Sequence, residues 1–146
     1  MHCRFATIQD AAALAKLNHA LIRDEGHRNP MSVAELETRM AGWLGGEYQA
    51  VLFEDAGQPI GYALFRQEEE HVYLRQFLVT GPYRRRGVGR AAVGWLRERA
   101  WGMHGRVRLD VLVGNAIGIA FWRAVGFQDY CLTLELDAAS GPEKLT

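Results

Sequence analysis

Arg84-Arg85-Arg86-Gly87-Val88-Gly89-Arg90 is the stretch on which the reading of this chain turns. It follows an extended apolar run that ends at Val79 and precedes a segment in which Val88, Ala92, Trp95 and Leu96 recur at helical spacing. A strand-turn-helix junction of this kind aims successive backbone N–H groups, and the positive end of the helix dipole, at one point, which favours an anion. Gly87 and Gly89 let a pyrophosphate approach the main chain without a Cβ in the way, with Val88 between them. Arginines at 84, 85, 86 and 90 supply charge and paired donors suited to phosphate. The plainer alternative is a solvated basic turn ahead of an ordinary helix.

Two other phosphate readings fit less well. Gly87-Val88-Gly89-Arg90-Ala91-Ala92 matches G-x-G-x-x-A, with Asp110 near the expected acidic position of a dinucleotide fold. Yet about seventy residues precede the strand without a βαβ pattern, and the chain beyond it is too short for such a half. Asp110 is also expected in mid-strand rather than at a strand's carboxyl end. No G-x-x-x-x-G-K-[ST] loop is present. A run of three arginines is short for a nucleic-acid patch, and the chain has 17 basic and 17 acidic residues, so no nucleic-acid partner is expected.

Working outward, His2 to Ala6 reads as a short strand, and Asp10 as the cap of a helix whose apolar side is Ala13, Leu14, Leu17, Ala20 and Leu21. Arg23 to Pro30 is polar and punctuated, hence a loop. Ser32, with Glu35 three residues on, opens a second helix that ends near Gly45-Gly46. Tyr48 to Glu54, Ile60 to Phe65 and His71 to Val79 form a meander, turned at Ala56-Gly57-Gln58-Pro59 and at the acidic Glu68-Glu69-Glu70. After the helix from Val88, with Gly102 as its C-cap, come an apolar strand Val107 to Val113, a helix Asn115 to Val125 closed by Gly126, and an alternating strand Phe127 to Leu136. Residues 137–146 read as a loose tail. The order is β-α-α-β-β-β-α-β-α-β, a mixed α+β domain over residues 1–146. Its crossover through 71–113 is expected to be right-handed, with two parallel strands.

Bulk properties bound the answer. A chain of 146 residues, 49% apolar and 23% charged, can bury a core without a staple. Cys3 and Cys131 are too few and too separate for a disulfide framework, and no apolar run reaches membrane length, so a cytoplasmic protein with no membrane partner is expected. The five histidines, His2, His19, His27, His71 and His104, lack metal-ligand spacing, and no metal is expected. Oligomeric state is not legible in these patterns; a homodimer stays open.

The two motifs at 84–90 and 115–127 together resemble the GNAT superfamily of N-acetyltransferases. Its hallmark R/Q-x-x-G-x-G/A after a strand is matched by Arg84, Gly87 and Gly89. Its second hallmark, an Asn after a strand and then a helix ending in aromatic-x-x-x-Gly-Phe, is matched by Asn115, Trp122, Gly126 and Phe127. The element order matches along nearly the whole chain. The resemblance implies a mostly antiparallel sheet flanked by helices, with a splayed parallel strand pair, and acetyl-CoA as co-substrate for an amine acceptor. Leu78 and Val79 would pair through their backbones with the pantetheine arm. The Val79 N–H would polarise the thioester carbonyl. Residues Arg84 to Arg90 would hold the pyrophosphate, Asn115 would contact the arm, and Trp122 would pack beside it.

The attacking amine must lose a proton, since a lysine-like amine has a pKa of about 10.4. Asp110 is the first candidate base: Leu109-Asp110-Val111 stands where ribosomal-protein N-terminal acetyltransferases, which this region resembles, carry an acid five residues before the Asn. The competing reading is an ion pair with Arg106 or Arg108. Asp24, Glu25, His27 and His71 are further candidates. The family's tyrosine acid would fall at 122, where this chain has Trp122, and an indole N–H is no usable acid. Tyr73, Tyr83 and Tyr130 are other donors to consider. The family's mid-strand Glu is absent too, with Arg75 and Gln76 in its place. Acyl-CoA binding without turnover, as a sensor or regulatory module, is therefore the main alternative to an enzyme. Acceptor choice is expected to rest on the early helices and the loop at 22–31.

Overall fold

The computed structural model describes residues 1–102 and 105–139. Five strands lie side by side in chain order: β1 (His2–Phe5), β2 (Tyr48–Asp55), β3 (Gln58–Gln67), β4 (His71–Val79) and β5 (Arg106–Arg108). The first four run antiparallel, and β4 and β5 run parallel. The β2–β3 turn places Ala56 and Gly57 at φ 50° and 79°, the double left-handed conformation that a two-residue hairpin needs to follow the strands' twist.

Helices cover both faces. Leu14, Leu17 and Leu21 of α1 (Ala11–Glu25) and Met40 of α2 (Val33–Leu44) pack with Leu52, Tyr62, Leu64 and Leu78 on one face. Ala92, Val93 and Leu96 of α3 (Val88–Arg99) pack with Val51, Phe53, Phe65, Val72 and Leu74 on the other, joined by Phe121 and Trp122 of α4 (Ala116–Ala124). The period of apolar residues in each helix thus selects its buried side. Ser32 and Glu35 form the expected reciprocal cap of α2.

Several local expectations differ from the structure. Asp10 precedes α1, but its carboxylate turns back to the Thr7 N–H at 2.8 Å and to Arg4 at 2.9 Å. Thr7 caps a short 3-10 turn there instead. The helix α1 runs on to Glu25 and is closed by left-handed Gly26, so the loop begins later than composition suggests. Helix α3 ends at Arg99, where the Ala100 and Trp101 N–H groups both reach the Leu96 carbonyl, ahead of Gly102.

The largest departures lie at the sheet's last edge. The strand expected over Val107 to Val113 is only Arg106–Arg108, and Phe127 to Leu136 forms no strand. Leu132, Leu134 and Leu136 are 83%, 89% and 67% exposed, so their alternation meets no partner surface. Strand alternation is a local signal, whereas a strand exists only where a neighbour supplies the ladder. Of the tail expected over 137–146, residues 140–146 lie outside those described, as does His104.

Candidate active site

The site follows from how β4 meets its neighbours. Its register against β3 passes from Phe65↔Leu74 to Leu64↔Gln76, which leaves Arg75 as an extra, bulged residue. Before the bulge, Val72 and Leu74 face the α3 side; after it, Leu78 joins the core under α1. Arg75 reaches Tyr48 and Trp43, and Gln76 accepts from the Tyr62 hydroxyl at 2.8 Å. The bulge therefore turns two consecutive polar side chains to the face beneath α1 and α2. On its other edge, β4 pairs with β5 only from His71 to Tyr73. Beyond Tyr73 the two chains part.

That opening belongs to a cleft of about 940 Å³. Its walls come from the C-terminal half of α1, the loop at 27–29, β4 from Tyr73 to Val79, the turn at 83–85, the segment 109–111, and the start of α4. Asp110, Leu78, Val79, Arg84, Arg85, Gly89, Asn115 and Trp122 all line it. Arg86, Gly87, Val88 and Arg90 do not.

The Thr80 N–H bonds to the Ile60 carbonyl at 2.9 Å. Alternation along an antiparallel ladder then turns the Val79 N–H away from β3, toward the gap. The Val79 carbonyl accepts from Arg84 Nε at 2.8 Å. Arg84 also holds Asp24 at 2.6 Å, so it clamps the end of α1 to the end of β4. Arg85 and Gly87 adopt φ of 62° and 77°, a left-handed turn that gathers main-chain N–H groups into a concave cluster. Ala91 is the first residue of α3 to bond within the helix, to the Gly87 carbonyl, so the N–H groups of Val88, Gly89 and Arg90 have no intrahelical acceptor.

The two glycines do different work. At Gly87 a Cβ would meet open space, and the left-handed φ is the reason for glycine. At Gly89 a Cβ would stand 2.9 Å from Phe121 Cε1, so glycine there lets α3 and α4 meet. Arg90 ties the same two helices, its Nη2 donating to the Ala124 carbonyl at the end of α4 at 3.2 Å. The Val88 side chain packs into the core.

Asp110 lies past the end of β5, not in mid-strand, and forms no ion pair with Arg106 or Arg108. The Tyr73 hydroxyl donates to its Oδ2 at 3.2 Å. Burial, and then the Asp110 charge, push the Tyr73 phenol above its ordinary pKa, which keeps it a hydrogen-bond donor at neutral pH. Arg108 turns instead to the Tyr130 hydroxyl at 3.2 Å, away from the cleft. Trp122 sits edge-to-face against Phe77, Phe121 and Phe127, with ring centroids 4.8 to 5.1 Å apart. Asn115 accepts from the Gly118 N–H at 3.0 Å and so caps α4 from the cleft wall.

Of the other candidates, Tyr83 and His27 line the cleft, with His27 3.4 Å from Glu25; His71 and Tyr130 do not line it. Residues that motif reading passed over also line it: Asn18, fully buried in α1, and Arg39 of α2, which donates to Asn18 Oδ1 at 3.1 Å. A signal for Asn18 existed, since it interrupts the apolar stripe between Leu14 and Leu21. Among the described residues no three His, Cys, Asp or Glu side chains converge as a metal site, and no helix is long and apolar enough to cross a membrane.

This architecture is shared with solved structures. A possible acetyltransferase from Clostridium difficile 630 is 13% identical, with 96% of this chain and 98% of that one covered and a TM-score of 0.79. The ribosomal-protein-alanine N-acetyltransferase of Brucella melitensis biovar Abortus 2308 is 14% identical, with 93% and 98% covered and a TM-score of 0.71. The aminoglycoside N-acetyltransferase AAC(6')-Iy in complex with CoA is 16% identical, with 95% of each chain covered and a TM-score of 0.72. No curated protein sequence matches the chain. Residues 15–127, which span the sheet's β2 to β5, the phosphate-type turn and α4, match the model of the acetyltransferase (GNAT) family, and the chain belongs to that family.

Proposed function

We propose that this chain transfers an acetyl or short acyl group from acetyl-CoA to an amine on a small molecule or peptide. The observation that carries the reading is the continuity of one cleft. It runs from the turn before α3, past the free edge of β4, to Asp110 and Tyr73. The residues suit CoA: the left-handed turn at Arg85 and Gly87 and three N–H groups without helical acceptors present donors for a pyrophosphate, and Arg85 and Arg86 add charge. Leu78 and Val79 offer strand edge to the pantetheine amides, Asn115 offers its amide, and Trp122 forms an apolar wall.

The thioester supplies the acyl group. The Val79 N–H, fixed by the ladder, stabilises negative charge on the carbonyl oxygen as the amine attacks. Asp110 takes the amine proton while Tyr73 orients the receiving carboxylate. The C–N bond forms, the C–S bond breaks, and CoA leaves as a thiolate whose pKa, near 8.5 for a thiol, needs no donor at Trp122. Binding without turnover draws on Trp122; the place of Asp110 in the cleft, outside any ion pair, weighs for turnover. We assign the protein to the reducing cytoplasm on its two free thiols, Cys3 and Cys131.

The experiment is CoA release from acetyl-CoA against a panel of amines and short peptides, with binding followed in parallel. Turnover with an acceptor is expected, and Asp110→Asn is expected to lower kcat by about 10²–10⁴-fold. Tight binding with no turnover would replace the enzyme by the sensor, and no binding would overturn both.

A further inference from the structure

Beside the reacting end, the cleft has a wall that acyl transfer does not use. Arg39 and Arg75 both pack on Trp43 there, guanidinium carbon to ring centroid 4.4 and 4.8 Å. Arg39 donates to Asn18 Oδ1 at 3.1 Å, and Arg75 to the Tyr48 hydroxyl at 3.3 Å. Neither arginine forms an ion pair among the described residues. Of the acids lining the cleft, Asp24 pairs with Arg84, Glu25 stands 3.4 Å from His27, and Asp110 is held by the Tyr73 hydroxyl. One donor on this wall, Arg39 Nε, is buried without an acceptor, and Asn18 Nδ2 has only the Tyr62 hydroxyl beside it. Burial, followed by the charge of Arg75, lowers the Arg39 pKa. A partly desolvated cation with a buried, unfilled donor is costly unless something fills it.

We infer that this wall binds an anionic group of the acceptor, carboxylate or phosphate, so that the amines this chain acylates also carry negative charge. The inference rests on the acyl-transfer reading of the cleft. A guanidinium fork matches either anion. Arg75 lies two residues from Tyr73, which holds Asp110, and four residues from Val79 on β4, so this wall adjoins the reacting end. An ω-amino acid, a phosphorylated amine and a short peptide with a free C-terminus each carry both groups.

The test uses the full chain with CoA or acetyl-CoA present. Binding by calorimetry and steady-state acylation are measured for ω-amino carboxylates of increasing length, matched ω-amino phosphates, and matched neutral ω-amino amides. A charged amine is expected to exceed its amide by about tenfold or more in affinity and kcat/KM, chiefly through KM. The better of the carboxylate and phosphate series names the anion. Arg75→Gln, a change at an exposed side chain, and Arg39→Met are each expected to remove most of that preference with acetyl-CoA affinity unchanged. Arg75→Gln keeps the test decisive if Arg39→Met fails to fold. Equal treatment of charged and neutral amines, no binding of any charged amine, or a preference that survives Arg75→Gln would overturn the inference. Turnover of neutral amines without preference would remove it and leave the acyl-transfer reading standing, whereas failure of acetyl-CoA to bind would remove both.

Discussion

Single atoms decide several roles in this cleft. Gly87 and Gly89 look equivalent in the motif, yet one is required by backbone conformation and the other by the Phe121 ring. Gly89→Ala should therefore cost about 1–3 kcal/mol of stability, seen as a lower urea midpoint, because the new methyl overpacks the α3–α4 contact. Gly87→Glu should instead abolish most CoA affinity, measured by calorimetry, because it strains the left-handed turn and sets a carboxylate where phosphate is expected. Unchanged CoA affinity in that variant would mean the turn does not hold phosphate. Asp110 and Asn115 show the same division of labour. The first keeps a free carboxylate oriented by one phenol, and the second uses its oxygen for a helix cap while its amide remains on the cleft wall.

Among the elements, α4 is the one most dependent on its first turn. Asn115→Ala should cost about 0.5–2 kcal/mol by loss of the cap. Glycine at 118 is a poor helix former, but an added Cβ there would collide with the Asn115 side-chain amide. Gly118→Ala should thus destabilise the native chain, yet stabilise the Asn115→Ala background by up to about 1 kcal/mol, where the collision is gone. Denaturation of the four members of that cycle checks it. The link from β1 to α1 has a different character. Asp10, largely shielded, takes two bonds from Arg4, and that hydrogen bonding above all lowers its pKa. A carboxyl with a lowered folded pKa stabilises above its unfolded value, about 3.9, and that stability is lost as pH falls through the folded value. Asp10→Asn should remove about 1–2 kcal/mol at neutral pH, discounted for the more exposed Arg4, and flatten the acid limb of a stability–pH curve.

For the molecule as a whole, the cleft joins pieces that are distant in sequence. The end of α1, the bulge of β4, the turn before α3 and the start of α4 all contribute walls. A ligand filling it should stabilise the whole fold by mass action, by about 2.7 kcal/mol at a hundredfold excess over Kd. For a chain of this size that is a rise in Tm of roughly 5–10 °C, read in a thermal melt with and without CoA. The Gly87→Glu variant should lose most of the rise.

What the chain determined by local pattern is considerable. The apolar runs of β2 to β4, the apolar stripes of the helices, the Ser32 cap and the turn at 84–90 are all short-range features, and element order with the two motifs was enough to reach the family. The sheet's last edge was not legible, because alternation at 127–136 does not say which strand, if any, will pair with it. Nor was the β4 bulge, since an extra residue appears only in the register between two strands. That register sets Arg75 beside Gln76 under α1 and α2 and brings Arg39 and Asn18 onto the same wall. Tertiary structure also separated the two glycines and took Asp110 out of mid-strand into the opening. Motifs name residue types, but which groups share a cavity, and which donors are left unfilled, is settled by long-range packing alone.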